Sequence, residues 1–147
     1  MKITDIKTFL MQAGAPNPKR WSSAAAPGPF GGSTTMRAFG SRNWLFVKIY
    51  TDEGITGIGE CSGWPRVVET AIRDLTPLLV GQDPTHIETI WQRMQIAMMV
   101  HGSLGTVGGG AMTGIDMALW DIKGKALNTP VWNLLGGKVR DRIRLYG

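Results

Sequence analysis

Five groups of residues have types or spacings that could do chemistry. The run GSLGTVGGG at 102–110 is rich in glycine and precedes a helical segment. A phosphate loop would end in Gly-Lys-Ser/Thr, and a dinucleotide loop would follow a strand. This run does neither, and reads as a flexible helix-to-helix joint where backbones approach closely. Lys123-Gly124-Lys125 looks like a two-lysine base element. On a helix, however, positions i and i+2 point about 200° apart, so these read as solvated lysines flanking a glycine that admits close packing. Asp116 and Asp121 stand among Ile, Met, Leu and Trp. A mid-helix aspartate competes with backbone bonding, and a buried one needs a partner. Their separation keeps them off one face, and the expected role is bonding to backbone or to an arginine, for example one near the end of the chain. His86 and His101 have no third ligand to complete a metal site. Cys61 has no His or Lys beside it in sequence to lower its pKa. From these groups no metal site and no nucleophilic triad can be assembled.

The elements that position these groups follow from periodicity. Residues 2–13 read as a first strand. NWLFVKIYT at 43–51 is the clearest strand, with Leu45, Val47 and Ile49 on one face and Trp44, Phe46, Lys48 and Tyr50 on the other. Asp52-Glu53-Gly54 is a tight turn, and Ile55 to Glu60 returns as a short third strand, completing an antiparallel meander. From Pro65 the period becomes helical, with Val68, Ala71, Ile72, Leu75 and Leu79 in step and Gly81 as the stop. Asp83-Pro84 predicts the N-cap and first position of a second helix with Ile87, Ile90, Trp91, Met94 and Ala97 or Met98 inside. A third helix is predicted over 111–127, burying Ala111, Ile115, Ala118, Leu119, Ile122 and Ala126. A short helical turn follows at 131–135, and the alternation over 139–146 predicts one more strand without a partner. The predicted fold class is α+β, a three-stranded antiparallel meander followed by a three-helix bundle. Its predicted core is Leu45, Val47, Ile49, Ile58, Ile72, Leu75, Ile90, Met94, Ile115, Leu119 and Ile122.

Residues 14–41 form a long segment rich in Gly, Pro, Ser and Ala. Loops of this length inside a domain are uncommon and are usually functional or disordered. Trp21 and Phe30 within it favour a lid over a passive loop.

The chain has 147 residues, enough for one domain and too few for a (β/α)₈ barrel of about 250. Hydrophobic residues make up 43% and charged residues 18%, which supplies a core and excludes a disordered tail. No apolar run approaches the ~20 residues of a membrane span. The absence of an apolar leader and the single cysteine predict a cytoplasmic protein. The net charge of +5 is uneven, with seven Lys/Arg against one acid in residues 1–50. The basic residues are scattered and form no stripe. That speaks against nucleic acid and leaves either ordinary solvated side chains or a positive lip for an anionic small molecule.

The run AMTGIDMALWDIKGKA at 111–126, with Pro130-Val131 and Leu134-Leu135-Gly136-Gly137 after it, resembles the first signature of the mandelate racemase and muconate lactonizing enzyme family of the enolase superfamily. VKIYTDEGITGIGE at 47–60 and GQDP at 81–84 support the resemblance. Thr113 is a mild departure, because the family usually has a small residue such as Ser or Ala there. The resemblance implies an N-terminal capping (lid) domain over residues 1–137, with 138–147 starting a barrel missing from this chain. It implies Mg²⁺-dependent abstraction of a proton α to a carboxylate by an acid-sugar dehydratase or a racemase, with bases and metal ligands on later barrel strands. The chain alone would then bind no Mg²⁺ and be inactive, with no catalytic residue of its own. Two capping loops, matching 14–41 and 61–65, would select a hydroxy or sugar acid, with Arg20, Trp21, Ser62 and Trp64 as the candidates to touch it. These two loops are expected to be neighbours at one end of the domain. The implied partners are that small molecule and, by family habit, further copies in a homo-oligomer, with no nucleic acid and no membrane. Against this stands a non-catalytic, stand-alone binding or interaction module. The orphan strand with Lys138, Arg140, Arg142 and Arg144 favours truncation.

Overall fold

The computed structural model describes residues 1–13, 42–100 and 105–145. Three strands, β1 (Ile3–Ala13), β2 (Arg42–Thr51) and β3 (Thr56–Cys61), form one antiparallel sheet in the order β1-β2-β3. Helices α1 (Pro65–Leu79), α2 (Ile87–Val100) and α3 (Thr106–Ala126) pack against one another, and α1 and α3 lie on the sheet. A single turn, α4 (Val131–Leu134), follows. The predicted α+β meander and helical bundle are therefore observed. None of the helices among the described residues is long and apolar enough to cross a membrane.

The β2–β3 hairpin closes as its sequence requires. Gly54 takes φ +79°, its N–H donates to the Thr51 carbonyl at 3.2 Å, and the Thr51 hydroxyl donates to the Ile55 carbonyl at 2.7 Å. A left-handed residue at that point favours glycine. The inward face of β2, Leu45, Val47 and Ile49, is fully buried beneath Ile72, Leu75, Leu79, Ile115, Leu119 and Ile122. Truncating Leu119 to Ala, in this close-packed setting, should cost roughly 2–5 kcal/mol. Urea denaturation checks this; a change below about 0.5 kcal/mol would mean that the Leu119 site collapses without loss.

Four expectations are corrected. Ile58 is 50% exposed and not in the core. The inward positions of β3 are Gly57, Gly59 and Cys61, so the alternation of the strand turns Ile58 outward. The third helix begins at Thr106, with Gly108, Gly109 and Gly110 inside it, and Ala126 at its far end is exposed. Close packing outweighs the low helix propensity of glycine here. A methyl group at Gly57 would overlap the Ala118 carbonyl oxygen, and one at Gly59 the Gly114 carbonyl oxygen. Helix and strand backbones touch because neither carries a side chain between them. The second helix begins at Ile87 rather than at Pro84. Asp83 instead caps a preceding turn. Its Oδ1 accepts from the Thr85 N–H at 2.9 Å and the Thr85 hydroxyl at 2.7 Å, which holds its carboxyl below the usual range. Finally, residues 138–145 form no strand, and Val139, Ile143 and Leu145 are almost fully exposed. A strand needs a ladder partner, and among the described residues none lies beside this segment.

Candidate functional site

The register of the sheet gathers three chain exits at one end. Ala13 pairs with Arg42 and Leu45 with Cys61, so β1 ends, β2 begins and β3 ends at the side away from the Asp52–Gly54 turn. Segment 14–41 leaves and re-enters there, and Ser62 follows β3 at the same end. The candidates Arg20 and Trp21 lie outside the described residues, as does the rest of the first loop. Ser62 and Trp64 are described, and both are exposed.

The turn that carries Ser62 and Trp64 is held by backbone. Gly63 has φ +96°, a left-handed conformation that turns the chain from strand to helix. The Trp64 carbonyl accepts the N–H groups of Val67 at 3.0 Å and Val68 at 2.9 Å, which fixes the start of α1, and Pro65 suits the first helical position. Trp64 as a whole is 61% exposed. Beneath the turn lies the first turn of α3. A methyl group at Gly110 would overlap the Ser62 carbonyl oxygen, and one at Gly63 would sit 3.4 Å from Thr106. Thr106 and Gly110 are thus part of the support, and residue spacing alone did not reveal them. The start of α1 and the start of α3 meet at this one turn. Pro65 has no N–H and Val67 and Val68 already donate to the Trp64 carbonyl, so the start of α1 contributes chiefly the partial positive charge of a helix N-terminus here.

The other candidate groups are placed elsewhere. Lys7 and Lys48 lie 5.3 and 5.0 Å from the Tyr50 ring. Tyr50 pairs with Thr56 beside the hairpin turn, and the Lys2 carbonyl accepts from Asp52 N–H there too. Lys7 and Lys48 face each other in mid-sheet and lean toward Tyr50, on the hairpin-turn side. Lys123 and Lys125 diverge as helical geometry requires. Lys123 lies 5.3 Å from the Trp120 ring, while Lys125 donates to Asp121 and to the Thr56 carbonyl, both at 2.7 Å. Asp121 also accepts the Ile58 N–H at 3.0 Å, so its expected backbone role holds, with a lysine where an arginine was envisaged. Asp116 is half-buried, and burial, then the nearby Glu88 charge, pushes its carboxyl above the usual range. Thr113 donates its hydroxyl to the Gly109 carbonyl at 2.7 Å, so the departure from the family pattern is absorbed within the helix.

Cys61 is buried against Gly114, and its thiol is pushed up from 9.0 to about 11, first by burial and then by the Glu60 charge. It is a core atom and no nucleophile at neutral pH. The sign of the linkage follows. Folding holds the proton, so this contribution is complete below pH 9.0 and is lost as pH rises through about 11. Denaturation across that interval should show a loss of stability that Cys61→Ala removes. An identical pH profile in both chains would contradict it.

Together, the three-stranded meander, the helices laid on one face and the supported strand-to-helix turn define a capping domain of the enolase type. The chain belongs to the mandelate racemase / muconate lactonizing enzyme family, whose N-terminal domain matches residues 24–136. It is 54% identical over 105 residues to a D-galactonate dehydratase of Klebsiella pneumoniae (strain 342), covering 70% of this chain and 27% of that protein. Among solved structures it is similar to the 3,6-anhydro-D-galactonate cycloisomerase from Zobellia galactanivorans, with TM-score 0.73 and 32% identity, over 93% of this chain and 32% of that one. It is also similar to a member of the enolase superfamily from Polaromonas sp. JS666, with TM-score 0.73 and 33% identity, over 95% of this chain and 34% of that one. The chain spans about a quarter of the length of the curated relatives it matches.

Proposed function

We propose that residues 1–137 are the substrate-selecting capping domain of a sugar-acid dehydratase, and that residues 138–147 begin the barrel that performs the reaction. The observation that carries this reading is the convergence of exposed Ser62 and Trp64 with the starts of α1 and α3 at one end of the sheet. A carboxylate suits the positive helix ends, and an exposed indole beside a hydroxyl suits a polyol chain with apolar C–H faces. The 54% identity to a D-galactonate dehydratase supports a sugar acid as the substrate class and dehydration as the reaction. Arg20 and Trp21 join the proposal as the contribution of the first loop.

The family's Mg²⁺ does not fit the described residues. No three His, Cys, Asp or Glu side chains among them come together as a metal site. Burial holds the Asp116 carboxyl above its usual range, and Asp121 is committed to Ile58 and Lys125. Magnesium demands near-octahedral oxygen donors aimed at one point, and the described residues offer no such set. What these residues do is bind, orient and cover the acid. Proton abstraction needs a base within hydrogen-bond reach of the α-proton, and it is assigned to the remaining length of the protein.

The test combines calorimetric titration of the 147-residue chain with Mg²⁺ and a screen of sugar acids for α-proton exchange in D₂O. The expected result is no tight magnesium binding and no exchange above background. Millimolar or better affinity together with exchange would place the chemistry in this domain and overturn the division of labour.

A further inference from the structure

The free edge of β3 is closed in an unusual way. Among the described residues β3 pairs only with β2, so its outer side presents backbone groups that no described strand receives. Two of these are the Ile58 N–H and the Thr56 carbonyl, on either side of Gly57. The first donates to Asp121 Oδ2 at 3.0 Å, and the second accepts from Lys125 Nζ at 2.7 Å. Asp121 and Lys125 are one turn apart on α3 and also bond each other at 2.7 Å. A neighbouring strand would offer the same two functions, one acceptor and one donor, to these same two groups.

An ordinary i,i+4 ion pair on an exposed helix contributes little. This pair differs because each member reaches across to the strand. The reach depends on the close approach of α3, which the missing side chain at Gly57 permits against the Ala118 carbonyl. The first residues of the other edge strand are also occupied. The Ile3 N–H donates to the Gln82 carbonyl at 2.9 Å, the Gly81 N–H to the Ile3 carbonyl at 2.8 Å, and the Ile6 N–H to Asp5 Oδ1 at 2.8 Å. Unprotected edges template pairing with other chains. We propose that Asp121 and Lys125 act as a surrogate strand that closes the β3 edge against pairing with the β3 edge of a second copy of this chain. This inference does not depend on what the domain binds or on any reaction.

The test uses the 147-residue chain as wild type, Asp121→Ala and Lys125→Met. Amide exchange at Ile58 is read by NMR at low concentration, and association by sedimentation velocity across a concentration series. In Asp121→Ala, the Ile58 amide should exchange at least about tenfold faster, and the folded chain should associate as concentration rises. Lys125→Met should keep the Ile58 protection and associate more weakly, since only the Thr56 carbonyl is freed. A folded Asp121→Ala chain with wild-type exchange at Ile58, or one that stays monomeric throughout, overturns the proposal. If Asp121→Ala loses its circular dichroism, Lys125→Met decides: association above wild type supports the surrogate strand, and a monomer at every concentration overturns it.

Discussion

Gly59→Ala should destabilise the chain by about 3 kcal/mol, at the upper end of what overpacking usually costs. Propensity predicts the opposite sign, because glycine inside a strand is worse than alanine by roughly 0.5–1 kcal/mol. The reversal comes from the α3–β3 contact. The added methyl would overlap the carbonyl oxygen of Gly114, and that oxygen belongs to a helix backbone with no rotamer to yield. The strain can be relieved only by lifting α3 from the sheet, which would also loosen Ala118 and Leu119, both fully buried. Gly54→Ala serves as the comparison. Nothing lies within 4 Å of a methyl there, and the only strain is the φ of +79°. Urea denaturation of the two variants separates packing from backbone conformation. A Gly59→Ala chain as stable as wild type would mean that the two backbones are not in contact.

The same contact explains which parts of the fold were legible in the sequence. The alternation of Leu45, Val47 and Ile49 and the stripe of Val68, Ile72, Leu75 and Leu79 announce themselves by hydrophobic period, and the structure buries those residues as the period requires; the exposed Asp52–Gly54 turn is legible from its turn residues instead. β3 was misread because its inward side chains are Gly57, Gly59 and Cys61. The residue that looked like core, Ile58, was the outward one. For the same reason the glycines at 108–110 suggested a break where the structure has the first turns of α3. Glycine signals a turn and a backbone contact with the same letter, and only the partner element tells them apart. The alternation at 139–145 is a real period without a partner strand among the described residues. At the candidate site, Ser62 and Trp64 are candidates through the resemblance of 61–65 to a capping loop of the family, and the structure places both on an exposed turn. Thr106 and Gly110 were not legible, because their role depends on where α3 begins.

The second large effect concerns Trp64. Its backbone carbonyl organises the start of α1, while the residue as a whole is 61% exposed. Trp64→Ala should therefore leave stability within about 0.5 kcal/mol of wild type, as surface substitutions usually do. In a hybrid enzyme where residues 1–137 replace the matching domain of the Klebsiella D-galactonate dehydratase, the same change should lower kcat/KM for the preferred sugar acid by roughly 10–200-fold, the range of a lost apolar contact. Affinity for Mg²⁺ should be unchanged. This pattern separates a residue that selects substrate from one that holds the fold. A fall in metal affinity or in folding stability of similar size would assign Trp64 to structure. Arg20→Ala in the same hybrid should likewise alter substrate preference more than metal binding.

The unsubstituted hybrid tests the central claim most directly, through its steady-state dehydration of a panel of sugar acids. A capping domain that selects a sugar acid should yield a folded, Mg²⁺-dependent hybrid that dehydrates at least one member of the panel, with a ranking of substrates that follows residues 1–137 rather than the barrel. A folded, metal-binding hybrid that dehydrates none of them, or one whose ranking is that of the parent dehydratase and is indifferent to Trp64→Ala, would contradict the assignment.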